Sequence, residues 1–316
     1  MRQIAERLHT TVAQPVTGVT PDEYIEHVLR KIERCLSGLA PAETRVPVRL
    51  SKSIRYSLLS PGKRTRALLT ALTAQYWGAD PDLALVPACA IEMVHAASLA
   101  LDDLPVMDDA NLRRGRPTNH RIFGDDTVIL AAVALVSDAF GEVARCRELP
   151  EQCRLDVADF LSEAVGLDGL VAGQEMDLHS AAQAASVEDV EAVHSRKTAA
   201  LFAACTKIGA CVAGVADERL EDMAAFGMEL GMAFQTYDDL ADAHSDVETA
   251  GKDVKNDGNK PTVVSMLGRK EAERIADEHI DCALKLLEPV PSQDVPLVAF
   301  VHHLTDALKK RIDVKP

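Results

Sequence analysis

The strongest constraint in this chain is a long apolar stretch that runs without a break into a cluster of carboxylates. Pro81 to Leu101 is mostly apolar, with Ile91, Val94, Ser98 and Leu101 spaced for one helical face. It ends in Asp102-Asp103-Leu104-Pro105-Val106-Met107-Asp108-Asp109. A second long helical stretch, Arg219 to Asp242, ends the same way in Asp238-Asp239-Leu240-Ala241-Asp242. A lone Asp-Asp pair is ordinarily a solvated helix end. Two such clusters, each closing an apolar segment and each followed by basic residues, call for a cation. Asp238 and Asp242 are one helical turn apart, so their carboxylates share a face and repel unless a cation sits between them. Asp102 and Asp108 are too far apart for one face of a continuous helix, but Pro105 disfavours continuation. A bent exit would bring Asp108 back beside Asp102. Magnesium takes oxygen ligands, binding through one or two carboxylates, waters and substrate phosphate oxygens.

The rest of the chain reads as helix. Thr20-Pro21-Asp22-Glu23 and Ser186-Val187-Glu188-Asp189 are helix starts with capping residues and an acid three positions later. Further helices are predicted near 51–59, 64–77, 127–146, 151–166 and 170–179, with two more after Pro261. Aromatic residues are only 4% of the chain, so the core is aliphatic, and no alternation bounded by turn pairs marks a strand. The reading is a flexible leader over 1–19 and a single all-α domain over 20–316.

Charge and cysteines bound the partners. A formal net charge of −15 argues against nucleic acid or an anionic membrane surface as the main partner. Seven scattered cysteines with no C-x-x-C pair read as reduced thiols in a cytoplasm. The first 19 residues hold no apolar signal core, and no uninterrupted apolar run approaches a membrane span; Val128 to Val136 reads as a buried core helix.

Basic residues sit where phosphate binding needs them. Gly62-Lys63-Arg64-Thr65-Arg66 lies where a turn enters a helix, a natural anion site. Arg113-Arg114-Gly115-Arg116 follows the first acidic cluster, Lys197-Thr198 lies on the helix opened by Ser186, and Lys252, Lys255 and Lys260 follow the second cluster. Together they suggest two diphosphates, one held through metal and one held by Lys and Arg directly.

These motifs resemble those of the trans-isoprenyl diphosphate synthases, the family of farnesyl and geranylgeranyl diphosphate synthases. The similarity covers roughly Ser53 to Thr262. It rests on Gly62-Lys63-Arg64-x-Arg66, on Glu92-Met93-Val94-His95 leading into Ser98-Leu99, and on Asp102-Asp103-x4-Asp108. It continues through Leu112-Arg113-Arg114-Gly115-x-Pro117-Thr118, Gly173-Gln174-x2-Asp177-Leu178 and Lys197-Thr198. Phe234-Gln235-x2-Asp238-Asp239-x2-Asp242 and Gly251-Lys252-Asp253 complete it.

The resemblance implies an all-α, isoprenoid synthase-type bundle around a deep central cavity, a homodimer, and three Mg2+ ions around the allylic diphosphate. It implies that Asp102, Asp108 and Asp238 ligate magnesium, supported by Asp103, Asp239 and Asp242. Lys63, Arg66, His95 and Arg114 then form the isopentenyl diphosphate site. Arg113, Lys197 and Lys252 contact the allylic diphosphate, and Thr198 and Gln235 lie near the developing cation. The implied reaction is magnesium-dependent condensation of isopentenyl diphosphate with dimethylallyl, geranyl or farnesyl diphosphate. Ala97 and Ser98, small residues just before Asp102, leave room for a product longer than fifteen carbons, so geranylgeranyl diphosphate is expected. Val133, Leu135 and Val136 of the following helix, within one chain or across a dimer contact, are candidates for a deeper floor, beside Met93 and Val94. Farnesyl diphosphate is the alternative product. A terpene cyclase and a non-catalytic partner subunit are the other readings; a cyclase needs no second diphosphate site, and an inactive subunit is expected to lose acidic motifs that are intact here. The chain departs from the family pattern at Ala67, where Pro is usual, and at Ala131-Ala132-Val133-Ala134, where Ala-Gly-Asp-Ala is usual.

Overall fold

A computed structural model describes residues 18–179, 186–243, 261–287 and 294–313. Its helices follow the predicted ones closely. Helix α1 (Pro21–Leu39) opens on a complete capping box, with the Thr20 hydroxyl accepting from the Glu23 N–H and the Glu23 carboxylate accepting from the Thr20 N–H. Helices α2 (Val48–Leu58) and α3 (Thr65–Tyr76) follow, and a 3-10 turn (Pro81–Ala84) leads into α4 (Leu85–Asp102). After the acidic loop come α5 (Asn119–Phe123), α6 (Asp125–Arg145), α7 (Glu151–Val165) and α8 (Leu170–His179). Helix α9 (Val187–His194) carries the second capping box and passes through a widened π turn, Ser195–Ala199, into α10 (Ala200–Val212). The long α11 (Asp217–Asp242) is followed by α12 (Val263–Leu267), α13 (Arg269–Leu286) and α14 (Pro296–Asp313).

One cluster of buried apolar side chains, from Val28 to Ile312, joins these helices. Helix α11 packs between α10 and α13, α10 lies on α3, and α4 lies on α6. The acidic ends of α4 and α11 therefore belong to core helices, which fixes where both clusters emerge.

The structure departs from expectation in three places. A two-residue antiparallel ribbon joins Leu112–Arg113 to Arg116–Pro117, where no strand was predicted. Arg114 and Gly115 both have positive φ (54° and 72°), the geometry that closes a tight hairpin and that alternation over so few residues cannot announce. The π turn is likewise invisible to periodicity. Third, two helical stretches are long and apolar enough to cross a membrane, Pro81–Asp102 and Asp125–Arg145, because the rule of uninterrupted runs undercounts a helix with scattered polar residues. The first is a mostly buried core helix. The second owes its hydropathy to an outward face: Ile129, Leu130 and Val133 are 45%, 61% and 64% exposed. Of the candidate floor residues on α6, Val133 thus lies on the face turned away from its own core and Leu135 within that core.

Candidate active site

A cavity of about 540 Å3 opens between α3, α4, α8, the π turn, α11 and α14. Its lining brings together residues from six separate motifs: Lys63 and Arg66, His95 and Ser98, Asp102, Arg113 and Arg114, Lys197 and Thr198, and Gln235 and Asp238. Lys252, with Lys255, Lys260, Gly251 and Asp253, lies outside the described residues.

The bent exit after α4 is present. The Asp108 N–H donates to the Asp102 carbonyl at 2.9 Å, and the N–H groups of Asp109 and Ala110 donate to the carbonyls of Leu104 and Asp103. The loop thus folds back and returns Asp108 to Asp102. Burial pushes the Asp102 carboxyl up to about 6; Lys197 opposes this and Asp108 adds to it. Asp103 has a different role. It is 3% exposed, and Nε and Nη2 of Arg113 both lie 2.7 Å from its Oδ1. Burial raises the Asp103 carboxyl and the Arg113 fork lowers it. Asp103 therefore anchors Arg113 on the cavity wall.

On the opposite wall the Thr198 hydroxyl donates to Gln235 Oε1 at 2.7 Å, and Gln235 Nε2 donates to Asp239 Oδ1 at 2.9 Å. His194 Nε2 lies 3.4 Å from Asp239 Oδ2, and burial lowers its pKa to about 4, so the imidazole is neutral. Lys197 donates to Asp177 at 2.6 Å. Gly173 makes this arrangement possible: a Cβ there would lie 2.2 Å from the Lys197 backbone nitrogen, so α8 approaches the π turn only with glycine. Asp242 ends α11 one turn beyond Asp238, on the same face.

The basic wall is built around Arg66 and Arg114. Arg66 Nη1 lies 3.3 Å from His95 Nε2, its guanidinium stacks 4.7 Å from the Phe202 ring centroid, and its buried Nε has no hydrogen-bond partner. Burial and then Arg66, Arg114, Arg113 and Arg64 hold the His95 pKa well below the usual imidazole range. His95 is neutral and accepts from Arg66. Arg114 Nη1 donates to the Pro61 carbonyl at 2.7 Å across Gly62. Arg64, by contrast, is structural. It takes a left-handed backbone (φ 48°) and binds Glu33 and the Ser60 carbonyl, with Glu92 3.6 Å away. At the departure site, the Ala67 N–H donates to the buried Glu92 carboxylate at 3.2 Å, a bond proline could not make.

The carboxylates fit magnesium by donor chemistry. They are all oxygen donors, and at Asp102 burial and the neighbouring Asp108 penalise the charge unless a cation arrives. Among the described residues no three metal-binding side chains are close enough to hold one ion alone. Any magnesium here completes its shell with water and phosphate oxygens.

A family profile for polyprenyl synthetase matches residues 47–288. The chain belongs to the polyprenyl synthetase family. Among the relatives of this polyprenyl synthetase is a geranylgeranyl diphosphate synthase from Pseudescherichia vulneris, 41% identical over 92% of this chain and 95% of its own. A geranylgeranyl diphosphate synthase from Pantoea ananas is 42% identical over 82% of this chain and 85% of its own. Among solved structures, a geranyltransferase from Helicobacter pylori complexed with magnesium and isoprenyl diphosphate superposes with a TM-score of 0.81 at 27% identity. That match covers 95% of this chain and 100% of the other. The fold is therefore that of the all-α isoprenyl diphosphate synthases, and the chain is a trans-prenyltransferase.

Three features in and around the cavity escaped the sequence reading. Arg311 and Leu308, from α14, line the cavity, and Arg311 Nη1 lies 2.8 Å from Asp238 Oδ1. Their only signal was a basic run at the end of a helix, which ordinarily serves the helix dipole. His194 lies three residues before Lys197 on the same helical path, a spacing that could have flagged it. Asp177 sat in a quoted motif without a role.

Proposed function

We propose that this polyprenyl synthetase condenses isopentenyl diphosphate with dimethylallyl, geranyl and farnesyl diphosphate in turn and releases mainly geranylgeranyl diphosphate. One observation carries the reading: a single cavity is lined both by the carboxylates Asp102 and Asp238 and by the basic residues Lys63, Arg66 and Arg114. Two diphosphates of opposite handling are what such a cavity suits.

In this reading Asp102, Asp108 and Asp238 hold magnesium, with Asp103, Asp239 and Asp242 in support. Bound magnesium supplies charge stabilisation for the diphosphate that leaves the allylic carbon. Arg113 and Lys197, with Lys252, add direct hydrogen bonds to the same leaving group. The oxygens of Thr198 and Gln235 face the allylic cation, and the Gln235–Asp239 bond fixes their orientation. Lys63, Arg66, His95 and Arg114 hold isopentenyl diphosphate so that its double bond attacks the allylic carbon. A proton then leaves the new chain, and the departed diphosphate is its acceptor. The unpartnered Arg66 Nε supports an anion beside it. Residues 20–316 act as one domain, in the cytoplasm, as a homodimer, for which the outward apolar face of α6 is the natural contact.

The relatives' names favour the twenty-carbon product over the fifteen-carbon one. The purified chain, given labelled isopentenyl diphosphate, Mg2+ and each allylic primer, should yield a twenty-carbon diphosphate. Failure to elongate any primer would overturn the proposal.

A further inference from the structure

The last turn of α14 places a cation on a carboxylate that the proposed reaction needs for metal. Arg311 Nη1 is 2.8 Å from Asp238 Oδ1. This is not a loose tail. Leu304, Leu308 and Ile312 of the same helix are buried, and Leu308 lines the cavity one turn before Arg311. Lys309 Nζ lies 2.7 Å from Asp277, which also receives the hydroxyl of Tyr237, the residue before Asp238. The helix end is therefore held against α11, and Arg311 is delivered to the cavity rim by a rigid element.

A guanidinium suits a carboxylate and a phosphate equally well, because its fork matches both. The pair is only partly buried, at 41% exposure for Arg311 and 24% for Asp238. Pairs in such settings are weak. A divalent ion, with twice the charge and a preference for carboxylate oxygen, outcompetes it. Once displaced, Arg311 remains tethered to a cavity shared with Lys197 and Arg113.

We propose that Arg311 is an exchangeable counter-ion of Asp238, balancing this carboxylate in the metal-free enzyme and turning to the substrate diphosphate when metal takes its place. The proposal rests on the functional reading above. It makes Arg311 a competitor of metal when diphosphate is absent and a helper when it is present.

Mn2+, which shares magnesium's oxygen preference, serves as the probe. Free Mn2+ is counted by electron paramagnetic resonance in the full-length wild type, Arg311→Gln, Arg311→Lys and the neighbouring Lys310→Gln. Without diphosphate, Arg311→Gln should bind Mn2+ roughly two- to fivefold more tightly. With inorganic diphosphate, the same variant should bind Mn2+ more weakly, by roughly threefold or more. Arg311→Lys should shift less in both arms, and Lys310→Gln in neither. A merely structural role would move both arms the same way, and that result, or no shift in either arm, overturns the proposal even if Arg311→Gln is less stable. An inactive wild type showing the opposite-signed shifts would remove the functional reading and leave the exchange standing. An active wild type whose Mn2+ binding ignores Arg311 would remove the exchange alone.

Discussion

A methyl group on Gly62 would sit 2.4 Å from Nη1 of Arg114, which donates to the Pro61 carbonyl at 2.7 Å. The glycine is the floor on which that guanidinium lies. Because the clash is with the far end of a flexible side chain, Gly62→Ala should cost little stability, within about 0.5 kcal/mol. It should displace Arg114 and raise KM for isopentenyl diphosphate severalfold while leaving the allylic KM nearly unchanged. Arg66→Ala should act in the same sense by roughly 1.5–3 kcal/mol, as for a hydrogen bond to a charged group. Initial rates against each substrate separate the cases; an allylic KM that rises as much as the other would refute the assignment.

Asp102→Ala and Asp238→Ala should each lower turnover by orders of magnitude, because stabilising the leaving group acts in the transition state. Neither should unfold the protein, since each removes one of several repelling carboxylates. Circular dichroism and product formation decide the matter together. Near-normal turnover in either variant, or full turnover in excess chelator, would contradict the metal reading.

The neutral, half-buried His95 makes stability depend on pH. Its folded pKa lies well below that of a free imidazole, near 6.5, so between the two values the unfolded chain binds a proton that the folded chain does not. Stability contributed by this group is therefore present above about pH 6.5 and is lost as pH falls below it. Unfolding midpoints of the wild type and His95→Asn, measured at pH 7 and pH 5, should fall further for the wild type. Equal losses would show that His95 is not the group responsible.

Product length should be set beside Ser98. Ser98 lines the cavity, whereas Ala97 is 1% exposed and packed in the core with Met93 and Val94. Ser98→Phe should shorten the main product towards fifteen carbons at small cost to stability. Ala97→Phe has to force core packing apart, at about 1–3 kcal/mol, before it reaches the chain's path. Chromatography of the products, paired with thermal unfolding, tests the contrast. An unchanged product from a folded, active Ser98→Phe enzyme would show that the chain does not pass this residue.

Much of this protein was determined by local rules. Capping boxes at Thr20 and Ser186 set two helix starts, and the apolar periodicity of 85–102 set a buried helix ending in Asp102. The Pro105 break implied the return of Asp108, since a helix that cannot continue must satisfy its last carbonyls with a loop. Each of these depends on neighbours within a few residues. Tertiary structure decided which charges meet. Asp103 became the anchor of Arg113, Arg64 turned inward to Glu33, and Ala67 gave its N–H to Glu92, because helices distant in sequence were packed face to face. The approach of α14 to α11 set Arg311 on Asp238 across 73 positions of sequence. No local pattern encodes such a pairing; it exists only because burial of two apolar faces brings the polar ends of those helices together.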